Sequence, residues 1–206
     1  YRTYEHDLDL EVGGLRIELH HDKGETDDGT WAWIPERSVL CTGDLFIWAL
    51  PNAGNPQKVQ RYLSDWGAAL RQMAALRPEI LLAGHGLPIF GADRIVVALT
   101  DTAELLESIE NQTLAIMNQG KNLDTCLHEV TVPAHLADKP YLQAVYDHPQ
   151  FLIRNVWRRY GGWWDGEPDN LLPSPRAQQA AEWVELAGGV DRVLARAQEV
   201  LDAGDA

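Results

Sequence analysis

Near residue 97 the hydrophobic period of the chain changes, and only a fold that lays down a sheet before a helical module satisfies both parts. Leu8, Leu10 and Val12 alternate with polar residues, as do Leu15, Ile17 and Leu19 beyond Gly13-Gly14, which predicts two strands about a tight turn. A polar stretch, His20 to Gly29, follows. Thr30 to Ile34 and Val39 to Thr42 read as a second β pair joined by the turn Pro35-Glu36-Arg37-Ser38. Pro56 to about Leu76 has helical spacing, with Val59, Leu63, Trp66, Leu70 and Met73 on one stripe. Pro78 ends that helix, and Glu79 to Ala83 reads as a short apolar strand entering Gly84-His85-Gly86.

The second part reads as helix only. Ala92 to Gln119 is a long helix closed by Gly120. Shorter helices are predicted near 122–130, 139–147, 149–160, 176–187 and 189–202, separated by Pro and Gly signals. Gly161 to Pro175 is a loop carrying Trp163, Trp164 and Asp165. The expected organisation is an α/β domain over 1–97 and an all-α domain over 98–206, without internal repeats.

Three residues in the first part have the chemistry of metal ligands. Glu25, Asp44 and His85 each stand at the mouth of a strand beside glycine, in Gly-Glu25-Thr, Gly-Asp44-Leu and Gly-His85-Gly. Glycine there lets the backbone turn sharply and bring a short side chain into a shared cavity. The turn at 35–38 folds Glu25 and Asp44 back to one end of the strand pair. Two carboxylates and an imidazole suit Zn²⁺, Mn²⁺ or Fe²⁺. Asp27 and Asp28 offer alternatives within the Glu25 loop, and Asp28 could instead orient a ligand. His20 and His21 are adjacent in a strand and point to opposite faces, so they cannot both reach one metal.

The formal net charge is −14, which argues against a general nucleic-acid binder because most of this surface repels phosphate. It does not exclude anionic substrates, since a bound cation inverts the local field. No run of about 18 apolar residues occurs, so no membrane span is expected. Cys41 and Cys126 cannot staple a chain of 206 residues. A reduced, cytoplasmic setting is therefore favoured, with periplasmic or secreted locations left open. The chain opens Tyr1-Arg2-Thr3, without methionine or a targeting segment, and is expected to be processed, truncated or part of something longer.

Leu40-Cys41-Thr42-Gly43-Asp44-Leu45-Phe46, the Pro-Glu-Arg turn before it and Gly84-His85-Gly86 after it resemble the second half of the metallo-β-lactamase fold. Glutamate at position 25 is similar to the alkyl sulfatase branch of that superfamily. Leu106 to Thr113, running into Met117-Asn118-Gln119-Gly120, looks like the first long helix of the alkyl sulfatase dimerisation domain. Arg159-Tyr160-Gly161-Gly162-Trp163-Trp164-Asp165-Gly166-Glu167-Pro168 resembles that domain's Arg-Tyr-x-Gly-Trp-Phe-Asp-Gly-x-Pro signature, and Asn170-Leu171 and Pro173 continue it.

The resemblance implies the second half of an αββα sandwich followed by an all-α dimerisation domain, and a homodimer. It implies a hydrolase that uses two Zn²⁺ ions per complete site, with Glu25, Asp44 and His85 as ligands and Asp44 as the catalytic bridge between metals. The substrate would be an ester with an apolar portion, foremost a sulfate ester attacked by hydroxide. Arg159, Tyr160 and Trp163 become candidate substrate contacts, although Trp163 and Trp164 could equally be aromatic anchors between helices or subunits.

Two departures stand out. The His-x-His-x-Asp-His motif and the first sheet of the fold are absent, so a missing N-terminal half would have to supply further ligands. The segment Leu45 to Gly54 lacks the His and Arg that help alkyl sulfatases hold sulfate, and Gln150-Phe151-Leu152 stands where those enzymes offer Ser-His-Asn. A thioester, lactone or phosphoester hydrolase, or a non-catalytic dimerising fragment, are the competing expectations.

Overall fold

A computed structural model describes residues 2–204. It holds a six-stranded sheet followed by helices. The strands β1 (Asp7–Val12), β2 (Leu15–Asp22), β3 (Gly29–Ile34), β4 (Val39–Ile47), β5 (Ile80–His85) and β6 (Ile89–Phe90) lie side by side in chain order. All neighbours are antiparallel except β4 and β5. A parallel pair cannot be joined by a hairpin, and here α1 (Leu63–Ala75) lies in the crossover.

Alternation along the strands sends Trp31, Trp33, Leu40 and Leu81 to the buried face. They form one core with Trp66, Leu70 and Met73 of α1 and with Ile95 and Leu99 of the long helix α2 (Ala92–Met117). The opposite face carries the registered row Leu8–Leu19–Ala32–Cys41–Leu82. Those side chains are half-buried, and Leu82 is exposed.

Three predicted elements differ in extent. The helix expected from Pro56 begins only at Leu63. Asn55 turns the chain first, its side chain accepting from Gln57 N, and Arg61 is drawn inward to Glu25. Val59, expected on the buried stripe, is consequently exposed. The helix expected over 139–147 is reduced to a 3-10 turn at Pro140–Leu142, with a short helix α4 (Ala134–Ala137) just before that range. Pro140 holds Lys139 in the extended region, and the Gln143 side chain satisfies the carbonyls of Ala137 and Lys139. Strand β4 runs past Thr42 to Ile47, with register irregularities on either side of Gly43.

The chain divides into two compact units, Tyr1–Asp165 and Gly166–Ala206. Within the first, α3 (Leu123–Glu129) and α5 (Pro149–Gly161) pack on α2. The boundary expected at residue 97 falls inside α2, whose Ile95 and Leu99 belong to the sheet's own core. In the second unit α6 (Arg176–Leu186) and α7 (Val190–Ala203) contact each other, and neither buries a residue. Among the described residues no helix is long and apolar enough to cross a membrane.

Candidate metal centre

The sheet delivers Glu25, Asp44 and His85 to one cavity of about 470 Å³, lined also by Ile47, Trp48, Ala49, Asn52, Gly86 and Tyr146. Glu25 leaves the loop after β2, where Gly24 is pressed against the side chains of Leu45 and Trp66 and no Cβ would fit. Asp44 follows Gly43 in the irregular part of β4, and His85 ends β5 beside it. The two strands approach so closely there that a Cβ on Gly84 would overlap the Asp44 carboxylate and the Gly43 backbone. Gly86 has φ of 110° and lies against the Trp48 ring, so the turn after His85 requires glycine twice over.

His85 Nδ1 is 2.8 Å from Asp44 Oδ1. Glu25 accepts at a single oxygen, Oε1, from Asn52 Nδ2 at 2.6 Å and from Arg61 Nη1 at 2.9 Å. Arg61 is 4% exposed and also donates from Nη1 to the carbonyl of Asn52. Burial pushes the Glu25 carboxyl above its ordinary value; the Arg61 guanidinium opposes that rise and the neighbouring Asp44 adds to it. Two carboxylates and an imidazole therefore face a common space with one buried cation behind them.

This donor set suits a divalent ion of the Zn²⁺, Mn²⁺ or Fe²⁺ type. Crowding of Glu25 against Asp44 is the electrostatic condition that such an ion relieves. The set is not closed, however. Among the described residues no group of three or more His, Cys, Asp or Glu side chains is arranged to hold a metal ion by itself. The residues fit part of a site.

The remaining predicted site residues lie elsewhere. Arg159 pairs with Asp65 at 3.0 Å and lies over the Tyr62 ring, while Tyr160 donates to Glu110 at 2.6 Å. Trp163 is 76% exposed. None of the three lines the cavity that holds Glu25, Asp44 and His85. His20 stacks on Trp31 and meets Asp7, whereas His21 turns to the Asp27 carbonyl, so the adjacent pair does diverge. Asp27 and Asp28 are exposed and do not line the cavity.

Sequence reasoning missed Asn52, Arg61, Trp48 and Tyr146. Asn52 stood within a segment read only for its lack of His and Arg. Its usable signal was the run Ala49 to Gly54, small and apolar enough to be buried as a loop, which it is. Arg61 was concealed inside a helix that begins two residues later than it.

The alkyl sulfatase dimerisation family model matches residues 122–206. Over 206 residues the chain is 30% identical to a linear primary-alkylsulfatase of a Pseudomonas strain, covering 98% of this chain and 39% of that protein. It is 30% identical over 200 residues to an (R)-specific secondary-alkylsulfatase of Pseudomonas sp., covering 94% and 30%. The structure is similar to that of the stereoselective inverting sec-alkylsulfatase Pisa1 of Pseudomonas sp., with a TM-score of 0.89 and 28% identity over 98% of this chain and 33% of that one. The chain thus spans about a third of the length of these relatives.

Proposed function

We propose that this chain, similar in sequence and structure to alkylsulfatases, supplies part of the metal site and the dimerisation module of a sulfuric-ester hydrolase. The observation that carries the reading is the convergence of Glu25, Asp44 and His85 on one cavity with an apolar wall of Ile47, Trp48 and Ala49. These three residues would hold the cation. When bound, a divalent ion of this kind supplies Lewis acidity and lowers the pKa of water towards neutrality.

The chain's own residues set the conditions for that chemistry. Asp44 accepts from His85 Nδ1 and so leaves Nε2 as the imidazole nitrogen with a free lone pair. Arg61 favours the ionised form of Glu25 against its burial. Trp48 and its neighbours exclude water from one wall and offer apolar contact to an alkyl chain. The net reaction adds water across a sulfate ester and releases an alcohol and inorganic sulfate. In the second unit, Trp183, Leu186, Leu194 and Leu201 are exposed on α6 and α7, and a second copy of this module is their proposed cover. Light scattering of the purified chain tests that part; a monomer at high concentration contradicts it.

A second reading has its own support. Asn52 and Arg61 both donate to Glu25, and among the described residues lining the cavity there is no arginine and no second histidine for a sulfate. A thioester or lactone has no anionic head and would need no such grip, and a phosphoester hydrolase is the third class open to the same scaffold. Turnover of alkyl sulfates against those three classes by the intact enzyme separates the readings. Asp44→Ala should abolish metal uptake and turnover in either case, and retained turnover would sink both.

A further inference from the structure

Glu25 is held by a device that neither the packing of its loop nor the sheet requires. Both hydrogen bonds to its carboxylate end on Oε1, one from Asn52 Nδ2 and one from Arg61 Nη1. The two donors are themselves tied together, because Arg61 Nη1 also reaches the Asn52 carbonyl. Asn52 and Arg61 are 8% and 4% exposed, so this is a buried construction. Each retains a polar atom without a partner among the described residues, Asn52 Oδ1 and Arg61 Nε. A buried guanidinium with an unsatisfied Nε is costly, and a surface ion pair would have avoided that cost.

We propose that Arg61 and Asn52 are positioning residues that fix Glu25 as a one-oxygen ligand: they saturate Oε1 and leave Oε2 to face a cation beside Asp44. The inference rests on the reading of Glu25 as a metal ligand and adds how its geometry is set. The guanidinium enters from the segment before α1, and Asn52 from the buried loop after β4. Glu25 is therefore oriented by two pieces of chain outside its own loop. A planar, permanently charged guanidinium presents Nη1 to both acceptors, Glu25 Oε1 and the Asn52 carbonyl, in a fixed plane that a freely rotating ammonium does not hold.

The test is a Co²⁺ titration of the intact enzyme, followed by its visible absorption, for wild type, Glu25→Gln, Arg61→Met, Asn52→Ala and the double variant Glu25→Gln/Arg61→Met. Circular dichroism reports folding in each. The expected result is a fall in Co²⁺ affinity of about 10- to 100-fold for Arg61→Met and a smaller fall for Asn52→Ala. The double variant should bind no more weakly than Glu25→Gln alone, because Arg61 acts only through Glu25; a merely structural arginine would give additive losses. Arg61→Lys should recover only part of the affinity. Should Arg61→Met fail to fold, Asn52→Ala decides alone, since it removes one donor and no charge.

The failures are distinguishable. Unchanged affinity in Glu25→Gln, or no uptake by wild type, overturns the ligand reading and the clamp with it. A weakened Glu25→Gln beside unaffected Arg61→Met and Asn52→Ala overturns the clamp only, as does additivity in the double variant.

Discussion

His85 Nδ1 and Asp44 Oδ1, 2.8 Å apart, join the mouths of the only parallel strand pair in the sheet of the described residues. A carboxylate accepts and cannot donate, so the contact puts a proton on Nδ1, and in the neutral ring the lone pair is then on Nε2. Zn²⁺ added to the chain should therefore move the His85 Nε2 signal in a long-range proton–nitrogen spectrum and leave Nδ1 nearly in place. Asp44→Ala should release the tautomer and abolish Zn²⁺ uptake. Movement of Nδ1 in the wild type would mean that the ring is turned the other way.

The loop that carries Asn52 is anchored by Gly54. A Cβ there would overlap the backbone of Phe151 and Leu152 in the first turn of α5, and Gly54 N donates to Asp147 Oδ2 at 2.7 Å. Overlap with backbone cannot be relieved by a rotamer change. Gly54→Ala should destabilise the first unit by about 1–3 kcal/mol, the usual cost of overpacking. Urea unfolding should show a lower midpoint with an unchanged slope. A midpoint equal to wild type would show that α5 yields freely at its start.

Asp147 makes the same anchor sensitive to pH. Its carboxyl is 4% exposed, and burial raises its pKa above the ordinary 3.8, against the backbone N–H groups of Gly54 and His148 and the charges of Arg61 and His148. A folded-state value above the unfolded one means that its contribution is complete below about pH 4 and is lost as pH rises through the raised value. The stability advantage of wild type over Asp147→Asn should accordingly be larger at pH 4 than at pH 7, measured by urea unfolding at each. An advantage that grows with pH would reverse the assignment.

What could be read from the sequence follows the range of the interactions. Strand alternation and the Gly-flanked ligands are local, so the β1–β2 hairpin, the turn at 35–37 and the meeting of Glu25, Asp44 and His85 at one cavity were all legible. The late start of α1 was not, because it depends on Arg61 reaching Glu25 across 36 positions. Nor was the loss of the helix over 139–147, where Asp147 is committed to Gly54, 93 positions away. Residues whose role is to hold another residue carry little sequence signal, and Asn52 and Arg61 belong to that class.

Tyr160 is where the motif reading and the geometry ask for different outcomes. The Arg-Tyr motif suggests contact with substrate, yet the Tyr160 hydroxyl donates to Glu110 Oε1 at 2.6 Å while Ser64 N, in the first turn of α1, donates to Glu110 Oε2 at 2.7 Å. Glu110 is 1% exposed, so losing one donor leaves a buried carboxylate under-satisfied. Tyr160→Phe should cost about 1–3 kcal/mol. The bond to Glu110, with burial, raises the phenol pKa above 10. The contribution of Tyr160 is thus intact below pH 10 and lost as pH rises through the raised value, a dependence that the phenylalanine variant should lack. In the intact enzyme the same variant should leave KM for an alkyl sulfate unchanged. A raised KM at unchanged stability would instead place the Tyr160 hydroxyl against the substrate.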